Sequence, residues 1–187
     1  MDLTQKTVFL LAMASAHRGK ELSFLKIHLM SSHSLYIRFQ FEDRFKVQGL
    51  KDPPKETFFH RFEEDSNICP VVALEALLGR TREHRIIDCV TGHCSPTQVF
   101  LATKAPHTAV GRPSIARWLV SLIGRAGIDI TTYSGHSTRS ASTSKAASLG
   151  VPIEVIVQQA NWKCNSTFEK FIINPLILEG NSFRQQY

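Results

Sequence analysis

No apolar run in this sequence approaches the roughly 18 residues that a membrane-spanning helix needs. Leu10 to Met13, an early apolar stretch, is too short and lacks the flanks of a signal peptide. No membrane partner is therefore expected. Cysteine is scarce too: Cys69, Cys89, Cys94 and Cys164 form no CxxC pair. A disulfide framework is excluded, and reduced thiols in a nuclear or cytoplasmic setting are the default. His84, Cys89, His93 and Cys94 lie close together, but their spacing fits no standard zinc pattern. The reading there is a loop with incidental residues, so no metal and no cofactor is expected. Repeats and low-complexity segments are absent. Tyrosine is limited to Tyr36, Tyr133 and Tyr187. Acidic charge is in the minority, with 16 Asp and Glu against 22 Lys and Arg, a net charge of +6 and a pI near 9.3. That balance favours a polyanion as partner. With 43% hydrophobic and 20% charged residues over 187 positions, the chain can bury the core of a single domain.

The pattern along the chain is mostly helical with a small antiparallel sheet, an α+β class. Asp2 or Thr4 can cap a first helix running through Val8, Leu11 and Ala12 towards Ala16. Ser34 to Phe41 alternates apolar and polar residues, as a half-buried strand does. Phe45 to Val47 is a candidate partner across a turn at Glu42 to Arg44, and Thr57 to Phe62 a candidate third strand. Pro70 suits the first turn of a helix reaching about Arg82. His84 to Gly111 reads as loop around a short apolar piece, Val99 to Ala102. Ser114 is placed to cap a helix carrying Ile115, Trp118, Leu119 and Leu122, stopped near Gly127. A further helix ends at Gly150, Pro152 opens another, and a short one is expected around Ser166 to Ile172.

Three segments carry chemistry. His136-Ser-Thr-Arg139 opens a helix-like run, and residues three apart share a face. An imidazole and a guanidinium fork on one face suit a phosphate, because Arg grips two oxygens and His donates to another or moves a proton. Arg18 and Glu21 are also three apart. A buried Glu there would orient the Arg behind a phosphate site, whereas an exposed one would form an ion pair of little weight. Trp162 follows Arg139 by 23 residues. As a lone residue it reads as a core anchor.

In this order the segments resemble the catalytic domain of the tyrosine recombinases, the phage-integrase family. The order is Arg-x-x-Glu-Leu, then His-x-x-Arg, then His or Trp. The likeness is nearest to integrase-like proteins of eukaryotic mobile elements, which carry a run similar to His136-Ser-Thr-Arg-Ser-Ala and the later Ser166-Thr-Phe-Glu-Lys-Phe171. Asp65 to Thr81 and Arg112 to Trp118 look like two further helices of that family. The resemblance spans roughly Leu3 to Pro175, which makes 1–175 the expected domain and 176–187 a carboxy-terminal tail.

The resemblance implies double-stranded DNA as partner, with a homo-oligomer assembled on it, and the functions of DNA integration and recombination. Arg18 and Arg139 would hold the non-bridging oxygens of one phosphate, and His136 would donate to it or handle the nucleophile's proton. Trp162 would pack behind the site or bond through its indole N–H, and Glu21 would support the architecture. A hairpin Lys, Lys46 with Lys51 as competitor, would be the general acid towards the leaving 5′-oxygen. Lys104, His107, Arg112 and Arg117 would either touch backbone phosphates or be plain solvated surface. No metal is required, because two guanidinium groups do the work of a cation. The family's amino-terminal DNA-clamp domain is missing from this sequence, which is expected to be either a fragment or a catalytic half encoded alone; without the clamp, weaker DNA affinity is expected.

The pattern breaks at the nucleophile. Aligning Phe168-Glu-Lys-Phe171 with the family's phrase puts Ile172 where the Tyr belongs, and an alkyl chain cannot form a phosphotyrosine. The expectation is a DNA-binding domain degenerate in catalysis. Two alternatives stand beside it: an active recombinase using Tyr187 or a partner's Tyr, and a helical interaction module that has lost DNA.

Overall fold

The computed structural model describes residues 2–42, 53–87, 94–160 and 162. Its architecture is mostly helical with a small antiparallel sheet, as the pattern implies. Helix α1, Leu3–Ser15, is capped by the Asp2 side chain, which accepts from the Thr4 N–H at 3.2 Å. It ends at Ala16, which adopts the left-handed conformation at φ 55°. Helix α2, Gly19–Ser23, follows at once.

The sheet has the order β1 (Met30–Ser32), β2 (Tyr36–Gln40), β3 (Glu56–His60). Strand β2 pairs antiparallel with both neighbours, Ile37 opposite Phe59 and Phe39 opposite Thr57. Alternation puts Ile37, Phe39 and Phe59 on the buried face, and the rings of Phe39 and Phe59 meet edge to face at 6.0 Å. The expected third strand is thus the direct partner of β2. Strand β1 has no apolar alternation and was not expected. The segment proposed to pair through Phe45 to Val47 lies outside the described residues.

Helix α3, Pro70–Thr81, starts with Pro in its first turn. The stretch read as loop contains two short paired strands, β4 (Ile86–Ile87) and β5 (Cys94–Ser95). Beyond them the chain is pinned. Arg85 donates through Nη1 to the carbonyls of Pro96 at 2.6 Å and Gln98 at 2.7 Å, and through Nη2 to that of Val99 at 3.0 Å. This seats Val99 and Phe100 in the core. Helix α4, Arg112–Arg125, is capped by Gly111 rather than Ser114. Pro113 explains the shift: it suits the first turn, so the helix begins ahead of Ser114. Helix α5 spans Ser137–Ser148 and helix α6 spans Ile153–Gln159. The expected helix at 166–172 lies outside the described residues.

Helix α1 is the centre of the molecule. Leu11 and Ala12 are fully buried, and α3, α4, α5 and β3 all pack around it. A smaller cluster, Ile156 and Val157 with Val151 and Trp162, joins α6 to α5.

Candidate functional site

The site begins where α1 ends. The last carbonyls of a helix have no partner within it. Here Ala12 O is taken by the Ala16 N–H, Met13 O by the Ser142 hydroxyl at 2.5 Å, and Ala16 O by Arg139 Nη1 at 2.8 Å. Two side chains of α5 therefore clasp the end of α1. A guanidinium at that end also meets the negative pole of the helix. The left-handed turn at Ala16 redirects the chain so that His17 goes inward and Arg18 outward. His17 is 2% exposed, whereas the Arg18 side chain is 45% exposed.

Glu21 sits at the junction and is 4% exposed. Its Oε2 accepts from the Arg18 backbone N–H at 2.7 Å, and its Oε1 from Arg18 Nη1 at 3.1 Å. Oε2 also lies 3.5 Å from His17 Nδ1 and 4.0 Å from Arg139 Nη1. The contact to His17 is electrostatic rather than a full hydrogen bond at that length. Burial pushes the Glu21 carboxyl up. His17 and then the Arg18 N–H and guanidinium outweigh it and hold the group below the ordinary carboxylate value.

Arg139 lies in the first turn of α5 and its side chain is 7% exposed. Its guanidinium carbon stands 5.0 Å from the centre of the Trp162 ring, a cation–π arrangement. Nη2 is buried and makes no hydrogen bond among the described residues. Burial, and secondly repulsion from Arg18, lower the Arg139 pKa to about 9 against the pull of Glu21. The group is still a cation at neutral pH. The depression expresses how poorly its charge is compensated from within.

Arg18, Glu21, Arg139 and Trp162 are thus brought together. His136 sits at the start of the same helix as Arg139. It occupies the N-cap of α5 and is exposed, while Arg139 is buried one turn on. Its backbone is helical at φ −77° and ψ −21°, so the three-residue spacing to Arg139 is kept, with the His exposed and the Arg buried. Lys46, Lys51, Ile172 and Tyr187 lie outside the described residues. Arg112 and Lys104 are exposed; Arg117 is exposed and donates to Ser114 Oγ at 3.2 Å. His107 bonds through Nδ1 to Ala102 O at 2.9 Å and stacks on His84 at 3.8 Å, which ties it to its own loop. No group of side chains fit to hold a metal occurs among the described residues. No described helix is long and apolar enough to cross a membrane. His17 escaped the reading of the sequence. Its one signal is the i,i+4 spacing to Glu21, which turn geometry converts into contact.

A buried guanidinium clasped to a helix end, a second one exposed beside it, and a carboxylate between them sit on the fold of the tyrosine-recombinase catalytic domain. Among solved structures, the chain is similar to the XerA recombinase, with a TM-score of 0.67 at 16% identity over 100% of this chain and 58% of the other. It is also similar to the XerH site-specific recombinase bound to palindromic difH substrate in a post-cleavage complex, with a TM-score of 0.66 at 11% identity over 96% of this chain and 46% of the other. The pre-cleavage complex of XerH with difH gives a TM-score of 0.63 at 11% identity over 88% of this chain and 41% of the other. The chain therefore spans about half the length of these structures. No known protein family and no curated protein matches the sequence.

Proposed function

We propose that this chain is a DNA-binding domain of the tyrosine-recombinase type that retains the phosphate grip and lacks the nucleophile. The observation that carries the reading is Arg139: a buried guanidinium whose Nη2 makes no hydrogen bond among the described residues, with a second cation, Arg18, close enough to depress it. A buried charge without full compensation is costly. The anion that repays two guanidinium forks is a phosphodiester. Its arrival at the first turn of α5 would also meet the positive pole of that helix. The fold shared with recombinases, one of them captured on its DNA substrate in two complexes, supports double-stranded DNA as the source of that phosphate.

In this reading Arg18 and Arg139 take the two non-bridging oxygens, and His136 donates from the rim. Trp162 holds the Arg139 plane, and Glu21 fixes Arg18. Lys46, or Lys51 beside it, serves the 5′-oxygen. Ile172 supplies no hydroxyl, so no P–O bond to the protein forms and the 5′-oxygen does not leave. The protein acts in DNA integration or recombination as a binding member of a homo-oligomer, in the nucleus or cytoplasm where its DNA lies.

The test is denaturing-gel detection of a covalent adduct on a nicked duplex, alongside a binding isotherm. Wild-type protein is expected to bind without an adduct, and Ile172→Tyr to give a measurable one if the helix presents the hydroxyl in line. A wild-type adduct abolished by Tyr187→Phe would establish an active recombinase instead. Absence of binding at low salt would favour a helical module that has lost DNA.

A further inference from the structure

We propose that His17 is a positioning residue of the phosphate site, which keeps Arg139 from closing onto Glu21 and so keeps its fork available to an anion. This rests on the phosphate reading above and deepens it.

The argument starts from a competition for one oxygen. Glu21 Oε1 is engaged by the Arg18 guanidinium at 3.1 Å, and Oε2 already accepts the Arg18 N–H at 2.7 Å. The remaining capacity of Oε2 is approached from two sides, by His17 Nδ1 at 3.5 Å and by Arg139 Nη1 at 4.0 Å. A carboxylate between two buried neighbours would ordinarily pull the guanidinium into a bidentate pair. Here the guanidinium stays beyond hydrogen-bond length. Its Nη1 goes to Ala16 O at 2.8 Å instead, and its Nη2 makes no hydrogen bond among the described residues. With the proton on Nδ1, His17 is the nearer of the two side chains, in electrostatic contact with the oxygen ahead of Arg139.

The placement of His17 is deliberate in physical terms. The ring is 2% exposed and packs edge-on against Phe41 at 5.7 Å. Both ring nitrogens are buried and without a hydrogen bond among the described residues. An apolar side chain would fill this place without leaving polar atoms unsatisfied, a cost of roughly 1–3 kcal/mol. Among the described residues, the charged group that His17 Nδ1 meets is the Glu21 carboxylate at 3.5 Å. The backbone N–H of His17 is meanwhile held by Ser15 Oγ at 3.2 Å, which together with the Ala16 turn fixes where the ring enters.

The experiment compares wild type, His17→Phe, His17→Leu and His17→Asn, the last retaining a donor near the Nδ1 position. Crystal structures of the unliganded variants are read first. The two apolar variants are expected to bring Arg139 Nη1 from 4.0 Å to hydrogen-bond length of Glu21 Oε2, and His17→Asn to leave the gap open. A gap unchanged in either apolar variant overturns the proposal, whether or not the protein binds DNA. Duplex affinity by fluorescence anisotropy is read second. A loss of about tenfold is expected for the apolar variants, the size of one charge-assisted bond, with rescue by His17→Asn. Equal loss in all three variants would mean a merely structural role. Wild type and Arg139→Met binding DNA equally would defeat the phosphate reading itself, while leaving the geometric outcome to stand or fall alone.

Discussion

Arg139 shows at the scale of one residue how function and stability part. Its burial costs the fold, since the guanidinium loses hydration and faces Arg18, and the bond to Ala16 O returns only part of that. Arg139→Met is therefore expected to move the melting temperature by no more than about 4 °C while weakening DNA binding. Sulfate should raise the melting temperature of wild type more than that of the variant, because an anion bound to the folded state adds to the general salting-out effect that both share. Differential scanning fluorimetry with and without sulfate measures both. Glu21 makes the complementary case. Its carboxyl is held below the ordinary value in the folded chain. It thus contributes stability that is present above the ordinary carboxylate pKa and is lost as pH falls through the lowered one. Glu21→Gln should be less stable than wild type near pH 7 and show a shallower loss in acid. Parallel unfolding curves at every pH would contradict this.

Among elements, the decisive junction is the end of α1 against α5. Ser142 and Arg139 satisfy carbonyls that α1 cannot satisfy itself, so the clasp is part of helix termination as well as of the site. Ser142→Ala should cost about 1 kcal/mol, the net worth of one hydrogen bond, as read by denaturant unfolding. Ala16 holds the left-handed turn without being glycine, a conformation that costs an L-residue roughly 1–2 kcal/mol. Ala16→Gly should relieve it and gain up to about 1 kcal/mol after the added freedom of the unfolded chain. If the variant instead loses stability, the turn is not strained. Elsewhere, an apolar groove lies between α1, β3, the start of α3 and α6, lined by Leu10, Met13, Phe58 and Val155. None of the candidate site residues lines it.

For the whole molecule, the net charge of +6 would give the proposed DNA binding its long-range character. Affinity for duplex DNA should fall with salt at a slope of about −0.9 for each phosphate neutralised. Several contacts predict a slope of about −3 or steeper, and losing Arg139 should flatten it by about 1. Isotherms over a range of salt measure this. A slope near zero would mean that the basic surface is not where DNA sits.

The amino-acid order by itself determined the class of fold, the helices from Leu3, Pro70 and Pro152, the alternating strand β2, and the pairing of Arg18 with Glu21. These are local matters: periodicity, caps, Pro placement and short spacing act within a few residues of chain. Trp162 was legible as a packing residue, but its partner was not. Only the tertiary structure decided that the Trp162 ring lies against Arg139, that Arg139 bonds Ala16 across 123 positions, and that β2 pairs with β3 and the short, unpatterned β1. It also decided that Arg139 is buried while His136, one turn earlier, is exposed, which spacing alone does not tell. His17 was hidden for the same reason. Its inward turn follows from the left-handed Ala16, and such a turn is imposed by what packs against it, not by the residue that adopts it.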